Sequence, residues 1–274
     1  MDVTAKVVFI SGGGGGIGGG MAMAFAERGA RIVLADINVG YAQEEADRLP
    51  ADSDVAVVQL DVTDADSWAA ARSVAEDRFG AVDVLCNNAG ISSGFRPLVE
   101  TCAADFERLM SINVTGVFHG ITAFAPGMIG RGRGHIVNTS SMNGLNPFAS
   151  FAAYSASKFA VLGLSDAVRA ELAPAGVGVS TLFPGLTRSR MSESMSSGPV
   201  AFDEARAAAI RANMMEPVWL GRAVVRAVEA NEPYIITHPE YAEDVKARFE
   251  QVLSAFGEPA QPGYRTGRSA TAVA

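Results

Sequence analysis

Cysteine is scarce: only Cys86 and Cys102 occur in 274 residues, too few for a disulfide framework or a cysteine-rich zinc site. Both are expected to be ordinary buried thiols. The three histidines, His119, His135 and His238, have no ligand-like spacing, so no metal is expected. Basic charge is short as well. Lysine and arginine total 22 against 30 acids, a net charge of -8, which is the wrong sign for a phosphate-backbone binder and excludes nucleic acid as an expected partner. Long apolar runs are also missing. Residues 7–26 carry no charge and end in Ala24-Phe25-Ala26, which imitates a signal-peptidase site, but eight glycines between Gly12 and Gly20 leave an apolar run of only 7–10. The uncharged stretch 136–157 is full of Ser, Asn and Gly, which a membrane helix tolerates poorly. The expectation is a soluble, cytoplasmic protein that uses no membrane.

What is present is apolar and regularly punctuated. Hydrophobic residues make up 49% of the chain and charged ones 19%, which suits one domain with a sizeable core. Short β-branched runs at 7–10, 31–35, 55–60, 82–86, 135–139, 177–183 and 234–237 lack polar alternation, as strands covered on both faces do. Helical patterns lie between them, at 21–28, 67–79, 106–129, 154–172 and 217–230. The alternation predicts an α/β domain with a doubly wound parallel sheet over 1–256. Such a sheet takes its ligand outside the carboxyl ends of its strands. Residues 188–212, rich in Ser and Met, read as a mobile lid, and 257–274, rich in Gly, Pro, Thr and Ala, as a surface arm or disordered end.

The first strand runs into Ser11-Gly12-Gly13-Gly14-Gly15-Gly16-Ile17-Gly18 and then a helix. That order lets backbone N–H groups approach a pyrophosphate with no Cβ in the way. Gly19 and Gly20 are costly in a first helical turn and point to close packing there. Asp36, with Ile37 behind it, ends the second strand, where a carboxylate accepts from both hydroxyls of an adenosine ribose and repels a 2′-phosphate, so NAD is the expected cofactor. No Lys or Arg occupies the glycine loop or positions 37–40 to offset that repulsion. The alternative for Asp36 is a cap on the next helix. Asp61-Val62 follows the third strand and Asn87-Asn88-Ala89-Gly90 the fourth, placed to line a dinucleotide groove or to make turns of their own. Tyr154 and Lys158 stand four apart on a helix, hence on one face. A free phenol titrates near about 10 and becomes a base at neutral pH only beside a cation, which Lys158 supplies. Ser141 offers a hydroxyl to a substrate oxygen, and Asn113, an unfavourable helix residue, a water site against Lys158.

Taken together these motifs resemble the classical short-chain dehydrogenase/reductase family over residues 6–237: SGGGGGIG, Asp36, NNAG, Asn113, the second serine of the SS pair at Ser141, YSASK, and Pro184-Gly185 after the sixth strand. The resemblance implies a Rossmann fold and hydride transfer to or from a nicotinamide, with Asn113, Ser141, Tyr154 and Lys158 as catalytic tetrad and Lys158 also on the nicotinamide ribose. It further implies cofactor contacts from Ser11, Gly12, Gly16, Ile17, Gly18, Asp36, Ile37, Asp61, Val62, Asn88, Ala89, Gly90, Pro184, Gly185, Thr187 and Ser189. Ser11 and Ser189 stand where threonine is commoner, and both keep a hydroxyl. The ending Tyr234-Ile235-Ile236-Thr237-His238-Pro239-Glu240 is similar to that of members oxidising benzylic alcohols of lignin-derived aryl ethers. A homotetramer or homodimer is implied, with residues 106–129 and 154–172 at its interface. The loop after Ser141, with Asn143 and Phe148, and the lid, with Met191, Met195 and Phe202, are mostly large and apolar. They favour a bulky, neutral, aromatic or polycyclic alcohol or ketone, with Arg188 and Arg190 as the residues that could instead grip an acid. The competing expectations are a 3-oxoacyl-carrier-protein reductase and a catalytically silent NAD-binding regulator.

Overall fold

In a computed structural model, which describes residues 1–195, 208, 210 and 212–257, seven strands form one parallel sheet in the order β3-β2-β1-β4-β5-β6-β7. They are β1 (Val7–Ser11), β2 (Arg31–Asp36), β3 (Val55–Gln59), β4 (Val84–Asn87), β5 (Gly134–Thr139), β6 (Val177–Phe183) and β7 (Tyr234–Ile236). Their uninterrupted apolar character has a direct cause: successive residues of one strand feed two separate cores. Val7 and Phe9 of β1 pack on one face with α3 (Ala65–Phe79), α5 (Gly116–Arg131) and α6 (Ala152–Leu172). Val8 and Ile10 pack on the other with α1 (Gly16–Ala26), α2 (Val39–Ala46) and α8 (Pro217–Ala230). Phe9, Trp68 and Phe124 meet at ring-centroid distances of 4.9 to 6.2 Å in the first core.

Two differences from the sequence reading bear on the site. The helix expected over 106–129 is α4 (Ala103–Met110), a π turn (Ser111–Thr115) and then α5, so Asn113 stands in a widened turn of the kind that recurs at functional sites. Cys102 is exposed, not buried as expected, because it heads α4 on the surface and hydrogen-bonds the Asp105 carboxylate there; Cys86, in β4, is buried. The apolar stretch Ala103–Arg131 is long enough to cross a membrane by length and composition, and its Val117, Ile121, Phe124 and Met128 are taken up by the sheet core.

The glycines of α1 have steric reasons. A Cβ on Gly20 would collide with the Pro217 carbonyl, one on Gly221 with the Gly20 carbonyl, and one on Gly19 with the Glu45 carboxylate. α1 and α8 therefore cross with backbone against backbone. The sheet and these helices make one unit, Met1–Pro239; Glu240–Ala274 form a second, whose described part is the helix α9 (Ala242–Ser254).

Candidate active site

Strand order reverses between β1 and β4, and the crevice beyond their carboxyl ends is where a doubly wound sheet binds ligands. Ser11 ties its two walls together. Its hydroxyl accepts from the backbone amides of Asn88 (3.0 Å) and Ala89 (3.2 Å), while the Asn88 side-chain amide donates to the carbonyls of Ser11 and Gly12 at 3.2 Å. Gly12 has φ +67°, and a Cβ on it would lie 2.7 Å from the Ala89 Cα, so no larger residue fits. No side chain caps α1, whose N-cap is Gly15, and a Cβ on Gly15 would meet only the Gly12 carbonyl, at 3.4 Å. An uncapped helix start with open space before it suits an anionic pyrophosphate, so Gly16, Ile17 and Gly18 fit that group.

Asp36 is built into this loop. One carboxylate oxygen accepts from the Gly14 amide and the other from the Asn38 amide, each at 2.9 Å. The cap of α2 is Asn38, whose side chain accepts from Tyr41, so Asp36 is not that cap. Ile37 is exposed on the rim. Asp61 accepts from the Thr63 amide and hydroxyl at 2.9 and 2.7 Å. Val62 turns to the core, its carbonyl accepting from the Trp68 indole at 3.0 Å.

On the other side of the crevice, α6 carries Tyr154 and Lys158. The Lys158 ammonium is buried, donates to the Thr139 carbonyl at 2.9 Å and lies 5.5 Å from the centre of the Tyr154 ring. Burial lowers it to about 8. Burial likewise raises the Tyr154 phenol, against the opposing pull of its hydrogen bond with Ser141. Ser141, just past β5, also accepts from the Asn143 amide at 3.2 Å. Asn113 reaches the same place indirectly. Its amide nitrogen donates to the Ile91 carbonyl (2.9 Å) and Ser157 hydroxyl (3.1 Å), and its oxygen accepts from the Ile91 amide at 2.8 Å. Between it and Lys158 is Gly90, on which a Cβ would lie 3.2 Å from the Asn113 oxygen and 3.5 Å from the Lys158 nitrogen.

The motif over 6–199 matches the family model described as short chain dehydrogenase. The chain belongs to the short-chain dehydrogenase family. It is 34% identical over 267 residues, 93% of this chain and 87% of the relative, to a C alpha-dehydrogenase of Sphingobium sp. (strain NBRC 103272 / SYK-6). It is 38% identical to a 3-alpha-(or 20-beta)-hydroxysteroid dehydrogenase of Mycobacterium tuberculosis, with 69% of this chain and 71% of the relative covered. Among solved structures, a short-chain dehydrogenase/reductase from Burkholderia phymatum in complex with NAD superposes with a TM-score of 0.83 at 30% identity, covering 95% of this chain and 99% of that one.

In this short-chain dehydrogenase, β6 leads through Pro184 and Gly185 to the segment that the sequence reading took as a lid. Thr187 is buried and bridges Met215, while Met215 and Leu186, then Arg188 and Met215, exchange backbone hydrogen bonds at 3.0 Å. The described residues on the two sides of the segment 189–214 are thus tied to each other. Ser189 begins the short helix α7 (Arg190–Met195), its hydroxyl accepting from the Ser192 amide at 3.2 Å, a capping role the sequence reading did not foresee. Met191 is half-buried; the Met195 side chain and Phe202 lie outside the described residues. Asn143 is spent on its own loop, accepting from Ser155 (3.2 Å) and the Phe148 amide (3.4 Å). Phe148 is at the surface.

Two aromatic residues near the site escaped the sequence reading, and a histidine it took as structural braces the backbone there. Phe95 and Phe151 stack edge to face at 4.4 Å, and Phe151 meets Tyr154 at 6.2 Å, an aromatic row ending at the phenol. His238 accepts the Gly185 amide at 3.0 Å through Nδ1 and donates to the Leu186 carbonyl at 3.3 Å through Nε2, which fixes the backbone just after β6. Its only signal in the sequence was its place just past the last strand.

Proposed function

We propose that this short-chain dehydrogenase interconverts a bulky, neutral, hydrophobic secondary alcohol and its ketone, using NAD, with Tyr154 as the acid and base. The observation that carries the reading is Tyr154 hydrogen-bonded to Ser141, with buried Lys158 beneath it, across the crevice from an uncapped glycine loop. When bound, the nicotinamide supplies the hydride acceptor or donor. In oxidation Ser141 holds the substrate oxygen, the Tyr154 phenolate takes the hydroxyl proton as the carbinol hydrogen would pass as hydride to the bound nicotinamide, and the Lys158 ammonium stabilises that phenolate until it is protonated. Burial opposes a phenolate at Tyr154, so the phenol depends on the positive charge of Lys158 to become basic, to which an oxidised nicotinamide would add when bound.

NAD over its 2′-phosphorylated form rests on the Asp36 carboxylate, held toward the glycine loop by Gly14 and Asn38, and the NAD complex of the Burkholderia relative supports it. A bulky substrate rests on the Phe95–Phe151–Tyr154 row. The names of the Sphingobium and Mycobacterium relatives support it. Neutrality rests on the lid arginines, because Arg188 pairs with Glu216 at 3.2 Å and Arg190 with Glu44 at 2.5 Å. The same reading assembles the chain as a homodimer or homotetramer through α5 and α6, and the exposed Phe118 and Ile129 on α5 support it.

The test is absorbance at the reduced-nicotinamide band with NAD or NADP against aryl carbinols, steroids and a small hydroxy acid. The expected result is the highest kcat/KM for an aryl carbinol or steroid with NAD. A preference for the hydroxy acid that vanishes in Arg188→Ala contradicts the substrate reading.

A further inference from the structure

Gly14 is gripped from two sides. Its amide donates to Asp36, and its carbonyl accepts from Nε of Arg190 at 3.0 Å, an arginine that the first turn of α7 brings across the groove. The Arg190 guanidinium lies 4.0 Å over the Tyr41 ring and donates through Nη2 to Glu44. The carboxylate assigned to the adenosine ribose and a guanidinium therefore flank one residue, although no basic residue lies near Asp36 in the sequence. The neighbouring cations are occupied elsewhere: Arg48 pairs with Glu45 at 2.8 Å and Arg188 with Glu216.

We propose that Glu44 and Arg190 are specificity-determining residues that set discrimination between NAD and a 2′-phosphorylated dinucleotide, Glu44 by masking the cation that, among the described residues, is placed to pair with that phosphate. The inference rests on the cofactor reading above. A guanidinium matches a phosphate with two parallel N–H donors, so an unmasked Arg190 offsets the repulsion from Asp36. With Glu44 in place its charge is neutralised, and the phosphate meets net negative charge from Asp36 alone. Both partners of the pair are partly exposed, so the effect is the modest one of a solvent-screened charge and is largest at low salt.

Calorimetric titration of NAD and NADP, without substrate, reads it directly. Glu44→Gln is expected to tighten NADP about three- to fivefold while NAD changes less than about twofold. Arg190→Ala is expected to weaken NADP, and Glu44→Gln combined with Arg190→Ala to abolish the gain. Glu229→Gln removes an equal charge from a surface pair with Arg28 at 2.6 Å and is expected to leave both affinities unchanged. An unchanged NADP affinity in Glu44→Gln overturns the proposal, as does a gain that survives loss of Arg190 or that appears equally in Glu229→Gln. A wild-type protein that binds neither dinucleotide overturns the cofactor reading and this proposal with it, whereas NAD binding without the Glu44 effect sinks the proposal alone.

Discussion

Lys158 and Tyr154 are both buried, and each is pushed toward its neutral form. Burial brings Lys158 down to about 8, so one proton leaves this site near that pH. Oxidation needs the site one proton short, with the phenol bare and the charge kept on Lys158, so kcat/KM for an alcohol should rise with pH through about 8, while ketone reduction falls over the same range. A flat profile in the oxidative direction would contradict this. At Asp36, the charge should hold NAD at least about tenfold tighter than NADP, and Asp36→Asn, which keeps one acceptor for the loop, should narrow that ratio. Equal dissociation constants in the wild type would show the carboxylate misassigned. Spacing alone brought Tyr154 and Lys158 onto one helix face. The proximity of Arg190 to Gly14 and of His238 to Gly185 was not legible, because each pairs residues far apart in the chain.

Among the elements, the helices differ in how their glycines are used. Gly20 lets α1 meet α8 at backbone distance, so Gly20→Ala should destabilise the protein by about 1–3 kcal/mol through the forced separation, more than its gain in helix propensity. Gly163, on α6, has open space where a Cβ would go. Gly163→Ala should stabilise by about 0.4–1 kcal/mol. Chemical denaturation of the two variants checks the pair, and a neutral Gly20→Ala would refute the tight crossing. Strands were legible because burial on both faces removes polar alternation, and Gly19-Gly20 already signalled close packing. The π turn at Asn113 was not, since a single widened turn leaves the apolar periodicity of 106–129 nearly intact.

For the molecule as a whole, acid sensitivity has a named source. His135 is buried beside Ser180 at 2.8 Å, and burial chiefly lowers it to about 3. The unfolded chain takes up that proton near about 6.5. The folded state binds fewer protons between these values, so stability should fall as pH drops below about 6.5, by up to about 1.4 kcal/mol per unit from this group. Melting curves of the wild type and His135→Gln from pH 7 to 5 should differ in slope; equal slopes would contradict the assignment. The parallel sheet and its binding edge followed from the strand and helix alternation, whereas the bridge between Thr187 and Met215 needed the folded chain.

The central claim is that Tyr154 moves the proton while the loop opposite holds the dinucleotide, and one comparison separates these roles. NAD affinity and turnover of an aryl carbinol are measured side by side for the wild type and Tyr154→Phe. The account predicts an NAD dissociation constant within about twofold and turnover lower by about 10² to 10⁴ or more. Near-normal turnover in Tyr154→Phe with NAD binding intact would contradict it.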